Sequence, residues 1–304
     1  MAYGALVLWA ALLIDRLTGD PRNSLHPTAY LGRFIGWWGR PDRYPASLQR
    51  AAGTLGAIVT AGCYALPFLL VDRYAPLAAY LVAAPFLLKI CFAWRCLEDH
   101  VAAVTDALAK DGQEGQKAVQ LLVSRNTAGF GDEAVLSAAY ESMAENLVDS
   151  IVAPLFFFMI GGLAGAAFYR AVNTMDAMLG YTDHRKKIGW FPARLDDVLN
   201  FIPARVTGAL LLLWFWPKGR FSEALQVLRR DARRRPGYNG GIPMAVIAGG
   251  VGIRFEKPGR YVIGDPARSL ADGGADVVGS VRGATLLAAV LFSLTLAFIA
   301  PPAL

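Results

Sequence analysis

The chain is predicted to be an all-α polytopic membrane protein. About four to five hydrophobic helices are expected, one or two of them broken or re-entrant, with helical loops on the cytoplasmic side. Composition points this way: 55% of the 304 residues are apolar, only 18% are charged, and the mean hydropathy is +0.38. Distribution decides it, because the apolar residues fall in blocks near the ~20 residues a helix needs to cross the hydrocarbon core. Charge placement is the third observation, since lysines and arginines gather between the blocks.

The blocks run Ala51–Val71, Leu77–Trp94 with Lys89 inside, Ile151–Phe168, the shorter Phe201–Trp216 with Arg205 inside, and Gly283–Leu304. Met1–Ile14 is apolar but short. It has no basic leader and no small-residue cleavage site before Asp15, so it reads as a short first span or an interfacial helix rather than a cleaved signal. No repeat or low-complexity linker divides the chain, and residues 1–304 are expected to form a single integral membrane domain. A multi-pass place in the cell membrane, with the lipid bilayer as partner, follows.

The net charge of +6 and pI near 9.3 do not signal nucleic acid, because zinc-finger spacing and a basic helix interleaved with aromatics are both missing from the sequence. Residues 15–50 hold 6 lysines and arginines, 95–146 hold 4, 170–199 hold 5 and 218–282 hold 12, against Arg73 alone between Ala51–Val71 and Leu77–Trp94. The positive-inside rule places 15–50, 95–146 and 218–282 in the cytoplasm and Arg73 outside. Full crossings by both Ile151–Phe168 and Phe201–Trp216 would then strand the five charges of 170–199 outside. Pro154, Gly161, Gly162 and Gly165 interrupt the first block, and Pro203 and Arg205 the second, so one or both are expected to break or re-enter. Cys63, Cys91 and Cys96 read as packing residues, and His26, His100 and His184 are too scattered for a zinc site.

The loops are expected to be ordered. Glu98–Lys110, Gln116–Val123 and Asp132–Asp149 have helical patterning, with Gly112 and Gly115 as a break. Residues 221–235 read as a basic amphipathic helix, and the Gly-, Pro- and Asp-rich 254–280 as a loop with a strand at Tyr261–Ile263.

Four polar clusters carry candidate chemistry. Asp15-Arg16-Leu17-Thr18-Gly19-Asp20-Pro21 with His26-Pro27 follows the first apolar segment, and its plainer reading is a solvated interfacial loop. Ser124-Arg125-Asn126-Thr127 precedes Glu141, Glu145 and Asp149, which recur every four residues. Three like charges on one helix face, running into an apolar block, call for a cation between them. Mg²⁺ with substrate phosphates meets that need, and a solvated helix face is the plainer alternative. In the third cluster Asn173 and Asp176 are three apart and Asp196 and Asn200 four apart, with Arg170, Arg194 and Arg205 near in sequence. That mixture suits a metal–phosphate unit or a network of structural ion pairs. The fourth runs from Asp231 through Arg235-Pro236-Gly237-Tyr238-Asn239-Gly240-Gly241-Ile242-Pro243. It suits an anion or a lipid surface, and it is not a P-loop.

In this order the clusters resemble the adenosylcobinamide-phosphate synthases of cobamide biosynthesis, the CobD/CbiB family, over nearly the whole chain. The most specific match is Ser124-Arg125-Asn126-Thr127 with Glu141-Ser142-Met143-Ala144-Glu145-Asn146-Leu147-Val148-Asp149. Tyr169-Arg170-Ala171-Val172-Asn173-Thr174-Met175-Asp176 and Ala193-Arg194-Leu195-Asp196-Asp197-Val198-Leu199-Asn200 follow. The fourth cluster departs from the family pattern: Arg235, Gly237, Tyr238 and Ile242 stand where His, Ser, Pro and Trp are usual.

The resemblance implies ATP-dependent ligation of adenosylcobyric acid, a corrinoid substrate, with (R)-1-aminopropan-2-ol or its O-phosphate, using ATP and Mg²⁺. It points to Glu141, Glu145, Asp149 and Asp176 as catalytic and to Glu145, Asp149 and Asp196 as metal ligands. Arg125, Asn146, Arg170, Asn173, Arg194 and Asn239 would bind substrate or phosphate. The corrin is large, so several loops are expected to build its pocket. A homo-oligomer, or association with other cobamide-assembly membrane enzymes, stays open. A transporter or channel, suggested by Lys89, Arg205 and Gly161-Gly162, and a non-catalytic membrane scaffold of the same family are the competing readings.

Overall fold

A computed structural model describes residues 3–20 and 26–299. Pro21 of the first cluster and the last residues of the C-terminal block lie outside them. Helices α1 (Gly4–Thr18), α2 (Pro27–Trp38), α3 (Gln49–Tyr74), α4 (Leu77–Lys89), α5 (Trp94–Lys110), α6 (Gly112–Gln120) and α7 (Asp132–Leu147) come first. A π-helical turn, Val148–Val152, joins α7 to α8 (Ala153–Leu179). Helices α9 (Trp190–Leu199), α10 (Phe201–Phe215), α11 (Phe221–Asp231) and α12 (Gly241–Val251) follow. A hairpin of β1 (Arg254–Lys257) and β2 (Tyr261–Gly264) precedes α13 (Leu270–Ile299). The chain is an all-α polytopic membrane protein. Among the described residues, four helical runs are long and apolar enough to cross a membrane, or up to five if the bent pair Trp190–Leu199 and Phe201–Phe215 is one span.

Two compact units divide these elements. The first comprises Met1–Ala93, Ala153–Asn200 and Ala289–Leu304; the second comprises Trp94–Val152 and Phe201–Ala288. In the first unit the 26 residues of α3 reach about 39 Å at 1.5 Å per residue, enough to span the bilayer. Leu55, Ile58, Val59, Leu66, Leu69 and Leu70 remain exposed, as a lipid-facing helix requires. Its other face packs Ala57 and Ala61 against Ile35 and Trp38 of α2 and Val172 and Met175 of α8. The Trp38 Nε1–H donates to Thr60 Oγ1 at 3.0 Å, which satisfies both groups in the apolar interior.

The most informative departure lies inside α8. Gly161 and Gly162 leave helical geometry, and Gly162 adopts φ 63, ψ −155. Beyond them the Phe157 and Tyr169 rings stack with centroids 5.1 Å apart. Twelve residues along a continuous helix would cover about 18 Å, so the chain reverses at the glycine pair. Asp72, near the end of α3, accepts the Ala164 N–H at 3.0 Å and caps the returning leg. The opposite end of α3 meets the 180–190 connection, where Gly53 lies against the Ile188 carbonyl. Residues 170–199 therefore lie at the end of the unit where α3 begins, just after 15–50. The five positive charges need no translocation if that end is cytoplasmic.

Only glycine suits position 162, because its φ and ψ are those of glycine and a Cβ would stand 2.8 Å from Asp72 Oδ2. Gly162→Val is expected to lose ~1–3 kcal/mol of stability. Gly161→Ala, at φ −124 with nothing within 4 Å of the new methyl, should be far milder. Thermal unfolding of the detergent-solubilised variants checks this, and equal losses would refute it.

In the second unit α5, α6 and α7 share a core of Val104, Val119, Val135, Ala138 and Ala139. Several expectations are corrected here. Gly112 opens α6 and Gly115 lies within it, so the only interruption is at Asp111, whose carboxylate caps Gln113 N–H at 3.2 Å. The basic helix stops at Asp231 rather than 235. In 254–280 the expected strand at Tyr261–Ile263 is present as β2, but it pairs with β1 in a hairpin, and the rest is not all loop, since α13 starts at Leu270 rather than in the Gly283 block.

Candidate functional site

The densest chemistry of the second unit lines one face of α7. Glu141 is buried, 5% exposed. Its carboxylate accepts from Ser137 Oγ at 2.7 Å and from Tyr261 OH at 2.6 Å, with Arg125 Nη2 3.6 Å away. One turn on, Glu145 accepts from Arg235 Nε at 2.7 Å. Arginines thus compensate the first two charges of the stripe. The third does not continue it regularly: Asp149 falls in the π turn, whose i→i+5 bonding shifts the helical phase. Asp149 still attracts Arg235 electrostatically. Burial works against the Arg235 charge, but Glu145 foremost, with Tyr261 and Asp149, outweighs it and holds the guanidinium pKa above its usual value. Burial, and then Glu141, push the Tyr261 phenol far up, so it stays a donor.

In front of these groups opens a cavity of about 550 Å³. Arg125, Asn126, Phe130, Arg235, Lys257, Arg260 and Tyr261 are among its walls. Four of the lining residues are cationic and, among the described residues, none is acidic. A smaller recess of about 180 Å³ shares Arg125, Lys257 and Tyr261 and reaches Glu141 and Glu145. The Nε and Nη1 of Arg125 are buried with no hydrogen-bond partner. Such donors are costly to leave unpaired, and an anion in the cavity would satisfy them.

Hairpin geometry explains why Lys257 and Tyr261 belong to the wall. They are opposite each other in the register, as are the buried Phe255 and Ile263. Side chains two apart on a strand share a face. The face that buries Phe255 and Ile263 therefore also carries Lys257 and Tyr261. Ser137 ties this hairpin to α7 by accepting the Glu256 N–H at 2.8 Å. Sequence reasoning missed Lys257, Arg260 and Tyr261, although Tyr261–Ile263 was legible as a strand.

Other predicted residues have local roles. Asn146 donates to the Ser142 carbonyl at 2.9 Å and accepts from Ser150 Oγ at 2.9 Å, so it is occupied along its own helix. Asn239 is nearly buried and accepts from Arg205 Nη1 at 3.2 Å.

The first unit holds its own polar cluster. Asp196, 7% exposed, accepts from Asn173 Nδ2 at 3.3 Å and Asn200 Nδ2 at 2.9 Å. Tyr169 OH donates to Asn200 Oδ1 at 2.8 Å. Asp176 and Asp197 repel Asp196 electrostatically. Arg170 has a buried, unpartnered Nε, and Arg194 is exposed. Lys89 bridges the buried Asp15, at 2.8 Å, and Asp20. His26 is near enough to feel Asp20, Arg170 and Lys89. Burial foremost holds its pKa below the ordinary value, with Asp20 opposing and the two cations reinforcing the shift. The predicted residues thus form two groups, one in each unit. Among the described residues, no group of three or more His, Cys, Asp or Glu is placed to hold a metal ion.

The model of the "CobD/Cbib protein" family matches residues 8–288. The chain belongs to the CobD/CbiB family. It is 41% identical over 272 residues to the "Probable cobalamin biosynthesis protein CobD" of Methanothermobacter thermautotrophicus, covering 87% of this chain and 88% of that one. Identity to the protein of the same name from Thermococcus kodakarensis is 43% over 254 residues, 83% and 82% of the two chains. To the "Cobalamin biosynthesis protein CobD" of Brucella anthropi it is 39% over 271 residues, 84% and 83%. No solved structure matches the chain.

Proposed function

We propose that the chain acts in cobamide biosynthesis as a membrane-bound, ATP-dependent amide synthase. It would join adenosylcobyric acid to (R)-1-aminopropan-2-ol or its O-phosphate. Family membership and the relatives' names support the pathway. The observation that carries the chemistry is the cavity walled by Arg125, Arg235, Lys257 and Arg260 without an acid, beside carboxylates that those arginines hold.

A carboxylate is a poor electrophile and must be activated. One of its oxygens attacks the γ-phosphorus of ATP, the bond to ADP breaks, and an acyl phosphate forms. The amine nitrogen then attacks the acyl carbon, phosphate leaves with the C–O electrons, and the nitrogen gives up its proton to a carboxylate. Arg125 and Arg235 neutralise charge gathering on the phosphates. Glu145 and Glu141 hold those guanidinium groups in place. Mg²⁺ fits as part of the nucleotide rather than as a resident ion, since it favours phosphates with one or two carboxylates and retained water. Glu145 and Asp149, both acting on Arg235, are the carboxylates of this unit that would reach it. When bound it supplies further neutralisation of phosphate charge. Asp176, Asp196, Asn173 and Arg170, which belong to the first unit, form a separate polar cluster with donors and acceptors of its own.

The test uses purified protein in lipid nanodiscs with ATP, Mg²⁺, either amine, and adenosylcobyric acid carrying ¹⁸O in the reacting carboxylate. Amide should form with one label passing to inorganic phosphate. Label absent from phosphate removes the acyl phosphate, and no amide with either amine removes the synthase.

A further inference from the structure

The β1–β2 hairpin contributes two cations whose role neither the family motifs nor the pairing on α7 accounts for. Lys257 and Arg260 flank the turn Pro258–Gly259, where Gly259 takes φ 69 and Arg260 N–H closes on the Lys257 carbonyl at 2.9 Å. Both side chains line the acid-free cavity. Neither has a carboxylate within ion-pair distance among the described residues. Arg254 at the other end of the hairpin differs: it pairs with Glu256 at 3.0 Å and lines a separate cavity.

Besides Glu141 and Ser137, a further buried carboxylate holds the hairpin. Asp231, the last residue of α11, is 0% exposed. It accepts the Gly264 N–H at 2.8 Å, both arms of Arg230 at 2.8 Å, and Arg234 Nε at 3.0 Å. Arg230 extends the anchor to Asp265 at 3.0 Å. Gly264 has φ 86, and a Cβ there would stand 2.3 Å from the Ile253 carbonyl, so the strand end sits close against the chain before β1. Burial opposes the Asp231 charge, yet Arg230, the Gly264 N–H and Arg234 outweigh it and hold the carboxyl below its ordinary range. The anchor therefore stays ionised at every working pH.

We propose that this hairpin is a polyphosphate clamp. Lys257 and Arg260 contact the phosphate chain together with Arg125 and Arg235, which line the same cavity, and Asp231 is the positioning residue that fixes the hairpin. The inference rests on the synthase reading for the identity of the phosphate chain, but not for its chemistry, which is that of any linear polyphosphate.

Full-length protein in nanodiscs of neutral lipid is titrated with inorganic tripolyphosphate by calorimetry and, in parallel, assayed for amide formation. Wild type should bind, and Lys257→Ala/Arg260→Ala should weaken binding by about tenfold or more, from the loss of two charge-assisted contacts. Arg254→Ala, which alters a cation of the same hairpin away from the cavity, should stay within about twofold. Asp231→Asn should weaken binding by an intermediate factor and raise hydrogen exchange over residues 254–264. In the amide assay it should raise the KM for ATP more than it lowers kcat. Unchanged tripolyphosphate binding by Lys257→Ala/Arg260→Ala, or equal losses in it and Arg254→Ala, overturns the clamp. If the clamp variants lose binding as expected but wild type makes no amide, the clamp stands and the synthase reading falls.

Discussion

Glu145→Gln should lower kcat/KM for amide formation by about a hundredfold or more, with insertion and thermal stability close to wild type. The magnitude follows from what the carboxylate does. Glu145 accepts the Arg235 Nε–H at 2.7 Å, and both side chains are only partly exposed. Glutamine preserves the shape and one hydrogen bond but removes the charge that holds the guanidinium against the cavity wall. Losing one preorganised charge at a phosphoryl-transfer site costs roughly 10²–10³ in rate. Arg235→Lys supplies the second arm. It keeps a positive charge but cannot reproduce a planar fork fixed through Nε, so most of the loss should recur. Glu145→Gln at wild-type activity would show that the pair on α7 is structural and that the cavity does not serve the reaction.

Much of this site was legible because its members sit on a single helix. A spacing of four placed Glu141 and Glu145 on one face, and the structure keeps them there. Two things were hidden. The compensating cations come from remote sequence: Arg125 from the turn before α7 and Arg235 from the loop after α11. No local pattern reports that pairing. The partner strand β1 was also hidden, because four residues, Arg254–Lys257, give little periodicity, so the second strand was legible but the hairpin was not. At Asp149 a π turn, decided by packing rather than composition, defeated an extrapolation from helical spacing.

The fold divides in the same way. Apolar blocks of spanning length announced the membrane helices, and the surplus positive charge of 170–199 announced that something between Ile151 and Trp216 was irregular. Which glycine reversed the chain was not readable. The reversal depends on Asp72, about 90 residues upstream, reaching the freed backbone at Ala164. An aspartate at the end of a hydrophobic block carries no mark of such a role, since its value lies in a backbone donor that exists only after the helix has broken.

Lys89→Met is expected to destabilise the protein by ~3–5 kcal/mol, the usual result of removing one member of a buried ion pair. Lys89 is 4% exposed and Asp15 0% exposed, 2.8 Å apart, with Asp20 on the same ammonium. Methionine fills similar space without strain, so the loss reports the charge rather than a cavity. Replacing Asp15 as well, in Lys89→Met/Asp15→Leu, should recover part of the loss, because an uncompensated carboxylate is then no longer buried. Thermal unfolding of the full-length variants in detergent checks both steps. A single variant within ~1 kcal/mol of wild type would show that the ammonium is not stabilised by its two carboxylates and is free for another use. The distinction bears on function. An intramembrane lysine, an arginine and a broken helix were the features favouring a transport pathway. The lysine is closed by Asp15 and Asp20, Arg205 is bound to Asn239 and the Phe201 carbonyl, and the break is capped by Asp72. If Lys89 proves structural, each of the three is accounted for by the packing of its own unit. Lys257 and Arg260, which line the cavity of the second unit, then remain as cations without an ion-pair partner among the described residues.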